Sequence, residues 1–331
     1  MTSPTPAKTI GVGTPENAEA LLMDLYVRLR RDLQRWAAVT RQTPQPRMGY
    51  VGQHLVSVVT GHPGGRSGAR GDDLKLPENK VAEIKCCYRV DQLGNCGACG
   101  TVVASIEKVC PNAACGSTNL NRKDDSKWLL SPKNEQELRE LFNPVSYYFV
   151  LFEFADLEKG EDIDVFIYEV DPKCLGFSLC MIDYFFNIRP NSLSKAPFNM
   201  WPHSAKFCMM KPKMIYWSVI LDNDTIDTRV FPTRDKPVLY ALEELTEYAD
   251  SDTITENAIN AVAIARRIKF PNARQLPTAN GKRRRAKLEI LQQQRVLNKW
   301  SDEELADDFA RAAFAGVAKY KKWITEFAPA L

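Results

Sequence analysis

Long apolar runs are missing from this chain, and no stretch approaches the about 20 residues needed to cross a bilayer. The opening residues, MTSPTPAKTIGVGTPENAEA, lack the apolar centre of a secretion signal, so neither a membrane span nor export is expected. Internal repeats and low-complexity tracts are missing too, which sets aside repeat architectures. So is a strong charge of one sign: 44 Lys and Arg stand against 41 Asp and Glu, a net +3 that argues neither for nor against a nucleic-acid partner. Nine cysteines, an odd number without an export signal, speak against a disulfide framework and for thiols and metal ligands in a reducing cytoplasm. What remains is 331 residues, 44% hydrophobic and 26% charged, enough for one large domain or a core with appendages.

The stretch over residues 61–85, GHPGGRSGARGDDLKLPENKVAEIK, carries the chemistry. An acidic pair, Asp72 and Asp73, precedes a turn around Pro77, Glu78 and Asn79, and then a run that alternates as a strand does. Val81, Glu83 and Lys85 share one face, while Ala82, Ile84 and Cys86 share the other. A tight connection would bring Asp73, at the head of the preceding strand, beside Glu83. Two carboxylates and a lysine converging there would make a magnesium site with an adjacent cation. The same letters also describe a salt-bridged surface strand. Asp72 replaces Asp73 if the register moves by one residue, because only one of the pair can point at Glu83.

This arrangement resembles the PD-(D/E)XK nuclease signature, with Asp73 as the first acid and Glu83-Ile84-Lys85 as the E-x-K; the proline is absent, and Asp72 stands in its place. The flanking RMGYVGQHLVSVVTG and CCYRVDQL look similar to type II restriction endonucleases of the MamI type, a likeness carried by residues 48–231. The resemblance implies an α/β (α+β) fold, a PD-(D/E)XK restriction-endonuclease-like mixed sheet flanked by helices. It implies Mg2+ as catalytic cofactor, double-stranded DNA as substrate, a palindromic and interrupted site, a homodimer, and a cognate DNA methyltransferase. In that superfamily the helix before the first catalytic strand often faces the metal with Glu or Gln, which points to Gln53; an ordinary exposed amide is the other reading.

A second signal follows at Cys96-Gly-Ala-Cys99-Gly and Cys110-Pro-Asn-Ala-Ala-Cys115-Gly. Short cysteine turns aim two thiolates each at one ion, and Gly100 and Gly116 tolerate the positive φ such turns need. Four thiolates close a tetrahedron, so a Zn2+ held by Cys96, Cys99, Cys110 and Cys115 would be structural. Adjacent Cys86 and Cys87 point to opposite strand faces, Cys86 into the core and Cys87 toward the catalytic side.

The remaining pattern divides the chain into a flexible tail (1–14), a nuclease core (15–232) with the ribbon inserted at 91–122, and a helical C-terminal region (233–331) for DNA contact or dimerisation. Leu21, Leu22, Leu25, Leu29, Leu33 and Trp36 form a helical stripe, with Arg28, Arg30, Arg31 and Arg35 around it as a solvated face, contact with DNA phosphates being the other reading. A helix is expected over 48–59, a third core strand in RKDDSKWLL, and a helix over 237–248. Arg66 and Arg70 in the glycine-rich loop, and Asn191, Ser192, Lys195 and His203 in a long polar segment, are candidate DNA contacts. Residues 266–299 hold eleven Lys or Arg against one acid, Glu289, which makes Lys282, Arg283, Arg284 and Arg285 either a phosphate footprint or a solvated basic loop. Two other functions fit the same letters: a structure-specific repair or junction nuclease, and a non-enzymatic zinc-ribbon protein that binds nucleic acid.

Overall fold

The computed structural model describes residues 13–40, 46, 48–65, 73–192 and 198–328. The chain forms two compact units: Met1–Ser126 with Tyr148–Tyr168 and Met214–Pro237, and Lys127–Tyr147 with Glu169–Lys213 and Val238–Leu331. Among the described residues no helix is long and apolar enough to cross a membrane.

The first unit begins with α1 (Pro15–Leu22), a π turn (Met23–Arg28) and α2 (Leu29–Thr40), followed by α3 (Met48–Thr60). Thr14 caps α1 through the Asn17 N–H, and Pro15 occupies the first turn, where its missing donor costs nothing. The main sheet runs in the order β1 (Leu74–Lys75), β2 (Val81–Tyr88), β6 (Ser146–Asp156), β7 (Glu161–Val170), β8 (Lys213–Ile220), β9 (Ile226–Val230). Between β2 and β6 lies a separate three-stranded ribbon of β3 (Leu93–Cys96), β4 (Val102–Ala104) and β5 (Leu120–Asn121). One sheet face is apolar because alternate residues of each strand point there: Ala82 and Ile84, then Val150 and Phe152, then Val165 and Ile167. Leu22, Tyr26, Val51, Leu55 and Val59 of the helices complete that core.

The N-terminal helix departs from the expected stripe. Leu29 and Trp36 are exposed, whereas Tyr26, Val27 and Arg30 are buried. The π turn is the reason: one extra residue rotates the helix face by about 100°, so position 30 takes the inward place of position 29. Arg30, expected on a solvated face, bonds Asp91 and lies 3.7 Å from Glu107, and burial pushes the Asp91 carboxyl up despite the guanidinium beside it. Its neighbours do remain outside, Arg28 on Asp24, Arg35 on Asp32 and Arg31 on Asp224.

In the second unit α4 (Glu135–Glu140) is capped by Asn134, and α5 (Leu175–Asp183) buries every residue from Leu175 to Ile182. Gly176 is required where α5 meets α6 (Ala205–Met209), since a Cβ there would lie 1.9 Å from the Met209 carbonyl oxygen. Three helices follow: α7 (Glu256–Ala265), α8 (Asn280–Asn298) and α9 (Asp302–Ala313). Thr255 caps α7 and Ser301 caps α9, and α10 (Lys321–Phe327) follows with Trp323 buried.

Two expected elements differ. Trp128–Leu130 of RKDDSKWLL pairs with Phe198–Met200 in its own two-stranded sheet and does not join the main one. The helix expected over 237–248 is a short strand, Val238–Leu239, and a single 3-10 turn, Leu245–Tyr248. The Tyr240 N–H bonds the Pro212 carbonyl instead of a helical partner. Tertiary pairing outweighs a weak local propensity there.

Arg30→Ala is expected to cost about 3–5 kcal/mol in urea unfolding, because it strands two carboxylates inside the protein. A second outcome concerns Glu256, whose carboxyl is held down at about 2 by hydrogen bonds from Arg283 and then Lys287. Its contribution is whole above the ordinary carboxylate range and is lost as pH falls from about 4.5 to 2. Glu256→Gln should therefore lower the melting temperature at pH 7, with the gap to the parent chain closing across that acid window.

Candidate active site and metal centre

The hairpin of β1 and β2 turns through Pro77–Asn79, where Glu78 and Asn79 take φ of 61° and 56°. The Leu76 N–H bonds the Lys80 carbonyl at 2.9 Å, and Leu74 pairs with Ala82 and Lys75 with Val81. One further step in this antiparallel register sets Asp73 opposite Glu83. Asp73 is gripped from three sides. Its Oδ2 accepts the Ile84 N–H at 3.0 Å, its Oδ1 accepts Gln53 Nε2 at 2.9 Å, and its carbonyl accepts the Gly65 N–H at 2.8 Å. Glu83 accepts from Lys85 Nζ two residues on, along the same strand face.

The structure thus brings together Gln53, Asp73, Glu83 and Lys85. Gln53 is not an ordinary exposed amide; α3 aims it at the carboxylate. Two acid side chains opposite each other in an antiparallel pair, with Cβ atoms about 4.5–5.5 Å apart, form a donor set of hard oxygens suited to a divalent cation. Asp72 lies outside the described residues. Cys86 is enclosed behind the pair, against Gly49 and Gly52, and Cys87 is buried on the strand face of Glu83 and Lys85. Burial pushes both thiols up to about 12, which disfavours the thiolate form.

The same sheet face carries carboxylates that the pattern reading passed over. Glu153 of β6 lies 3.4 Å from Arg89, which also faces Asp124 at 3.6 Å, and Asp164 of β7 accepts from Trp217 Nε1 at 2.7 Å. Burial raises the Asp164 carboxyl. The available signal was an acid inside each apolar alternation, Glu153 in SYYFVLFEFAD and Asp164 in DIDVFIYEVDP.

The ribbon gathers the four predicted cysteines. Their sulfurs lie within 4.8 Å of one another, with Cys96 and Cys115 at 3.8 Å and Cys99 and Cys110 at 3.6 Å. A tetrahedron with metal–sulfur bonds of about 2.3 Å has edges of about 3.8 Å, so the set is already at the size one ion demands. Gly100 and Gly116 sit at φ of 73° and 58°, the left-handed turns foreseen for them. Hydrogen bonds from the Thr101 hydroxyl and N–H draw the Cys99 thiol down to about 6. The Ser117 N–H pulls the Cys115 thiol down, but the crowded sulfurs and desolvation outweigh it and push the thiol up to about 11. The four cysteines can hold a metal ion.

The ribbon is also tied down. Besides Arg30, Arg122 donates to the carbonyls of Ser105 and Glu158, and Lys108 reaches the Gly160 carbonyl at 2.9 Å and Asp222 at 2.6 Å.

Of the candidate DNA contacts, Arg66, Arg70 and Lys195 lie outside the described residues. Asn191 donates to the Asn187 carbonyl, Ser192 follows it at the end of a 3-10 turn, and the exposed His203 sits 2.6 Å from the Tyr240 hydroxyl. The basic run of α8 is divided. Arg283 is bound to Glu256 and Arg284 to the Ser251 carbonyl, whereas Lys282 and Arg285 are exposed.

Residues 35–244, well over half of the chain, match the family model described as MamI restriction endonuclease. The type II restriction enzyme MamI of Microbacterium ammoniaphilum is 45% identical over 56 residues, which is 17% of this chain and 18% of that protein. The similar segment thus spans under a fifth of that relative's length. No solved structure matches.

Elemental analysis of the purified chain should find about one tightly held transition-metal ion per molecule. Replacing Cys96 and Cys115 together by serine should abolish it and lower the melting temperature. Retention of the metal by that variant would place it elsewhere.

Proposed function

The chain belongs to the MamI restriction endonuclease family, and from that premise we propose that it is a type II restriction endonuclease making Mg2+-dependent double-strand cuts at a specific DNA sequence. The observation that carries the reading is the register that sets Asp73 opposite Glu83 on one hairpin, with Lys85 bonded to Glu83 and Gln53 of α3 bonded to Asp73. Asp73 and Glu83 would hold the Mg2+ with water and the scissile phosphate completing its shell. Bound there, the ion supplies charge neutralisation at the phosphoryl oxygens and a more acidic water.

The protein's own groups do the positioning. The Ile84 N–H and Gln53 fix the Asp73 carboxylate without neutralising it, so its remaining lone pairs keep one direction. Lys85 is an ammonium held beside Glu83, where it can orient the attacking water and meet the charge that builds on the phosphate. Asp72 serves as the ligand if the functional register is offset by one residue.

Zn2+ is the metal that suits four cysteines, and in a closed thiolate set it is structural. The nuclease core is assigned to 15–232 with the ribbon at 91–122, and 233–331 to DNA contact or dimerisation. DNA contacts are assigned to Arg66, Arg70, Asn191, Ser192, Lys195 and His203, and on α8 to Lys282 and Arg285, with Arg283 and Arg284 reaching DNA only by leaving their present partners. A homodimer cutting a palindromic, interrupted site follows from two-fold symmetry of protein and DNA. In the cytoplasm a cognate methyltransferase would protect the host genome.

Digestion of unmethylated, sequenced phage DNA with and without Mg2+ is the test. Discrete bands are expected, lost by about 100-fold or more in Glu83→Ala. A smear would favour a structure-specific nuclease. Zinc bound and DNA retained with no cleavage in any divalent metal would make the chain a binding module.

A further inference from the structure

The second unit contains a cavity of about 570 Å3 that includes none of the residues placed at the cleavage site. Its walls are apolar, formed by Phe270, Leu276 and Pro277. Its floor is polar, formed by Glu256 and Asn260 of α7 with Arg283 and Lys287 of α8. That floor is rigid before any ligand arrives. Arg283 Nε donates to both Glu256 oxygens at 2.9 Å, and Lys287 Nζ donates to Glu256 at 2.8 Å and to Asn260 Oδ1 at 2.7 Å.

Two cations around one carboxylate leave a positive excess at the floor. The other side of the Asn260 amide, Nδ2, has no hydrogen-bond partner among the described residues, so one donor is left over for a ligand. Lys287 is buried, with its ammonium 5.2 Å from the Phe270 ring centroid, which joins the aromatic wall to the polar floor. Lys269, Arg274 and Lys282 are chain neighbours of the lining residues Phe270, Ala273 and Arg283. All three are exposed and have no acidic partner among the described residues.

A ligand that satisfies these surfaces needs a flat apolar body, a polar edge with acceptors, and an anionic group. A bare phosphate would leave the apolar wall unmatched. An alkyl chain would strip water from the floor without replacing its hydrogen bonds, which is costly. A nucleobase carrying a phosphate meets all three requirements, and the volume is in the range of small-ligand pockets. We propose that this cavity is a nucleotide-binding site, with the base against Phe270, its edge on Asn260 and Lys287, and its phosphate on Lys269, Arg274 and Lys282. A free nucleotide and an unpaired nucleotide of a DNA strand share that chemistry. Only the strand source draws on the cleavage reading.

The full chain, without added Mg2+, is titrated calorimetrically with dAMP, dGMP, dCMP and TMP, and by anisotropy with a fluorescein-labelled single-stranded oligonucleotide. Asn260→Ala and Phe270→Ala leave the bridge from Glu256 to Arg283 and Lys287 in place, and the exposed Lys282→Ala tests the rim with no packing to lose. Saturable binding of a mononucleotide that weakens about tenfold in these variants, at unchanged melting temperature, supports the site with a free nucleotide as ligand. Binding confined to the oligonucleotide and weakened by the same variants supports it with a strand as ligand. Wild-type chain that binds neither probe overturns it, as does binding that all three variants leave unchanged. Phage DNA cleavage is scored separately, so a chain that cuts without binding nucleotides, or binds without cutting, tells the two readings apart.

Discussion

The antiparallel register of β1 and β2 is the constraint on which the candidate site rests. Side chains in a strand alternate faces, so a slip of one residue would turn Glu83 and Lys85 into the apolar core and bring Ala82 and Ile84 out. Two things hold the register. Leu74, Ala82 and Ile84 are buried in the helix-packed core, and a turn with two left-handed residues sets the length of the connection. The Asp73 carboxylate adds a third lock, because it bonds the β2 backbone at Ile84 and α3 at Gln53. The same group that would bind a metal therefore also staples strand to strand and strand to helix.

The strand that carries Glu83 and Lys85 continues directly into the cysteine ribbon, and the junction is made with buried charge. Arg30 enters the interior only because a π turn has rotated its helix, and it meets Asp91 at the entrance to the ribbon and Glu107 within it. Buried ion pairs contribute little net stability, since desolvation offsets most of the attraction. They are demanding about geometry, however. A ribbon too small for its own apolar core is thus held by a metal-sized thiolate set at one end and by a directional guanidinium at the other.

Charge in the C-terminal part is arranged by the same rule. A run with eleven cations and one acid in the sequence is, in the fold, a mixture of internal and external groups. Arg266 meets Asp308, Arg283 and Lys287 meet Glu256, and Arg295 meets Asp302, so four of the eleven cations tie helices together. The cations left at the surface, Lys269, Arg274, Lys282 and Arg285 among them, are those available to an anionic partner.

Local pattern by itself determined the hairpin with Asp73 and the E-x-K, and the four-cysteine ribbon with its two glycines. Each of these depends on residues close together in the chain, where spacing translates directly into geometry. Tertiary structure decided the rest: the inward turn of Arg30, the detour of Trp128–Leu130 into its own sheet, the loss of the helix over 237–248, and which arginines are free. Glu153 and Asp164 came to light only when their strands were laid into the sheet that β2 belongs to. In most of these cases a partner lies dozens of residues away, and a charge or strand edge takes its role from that partner, which no local spacing encodes.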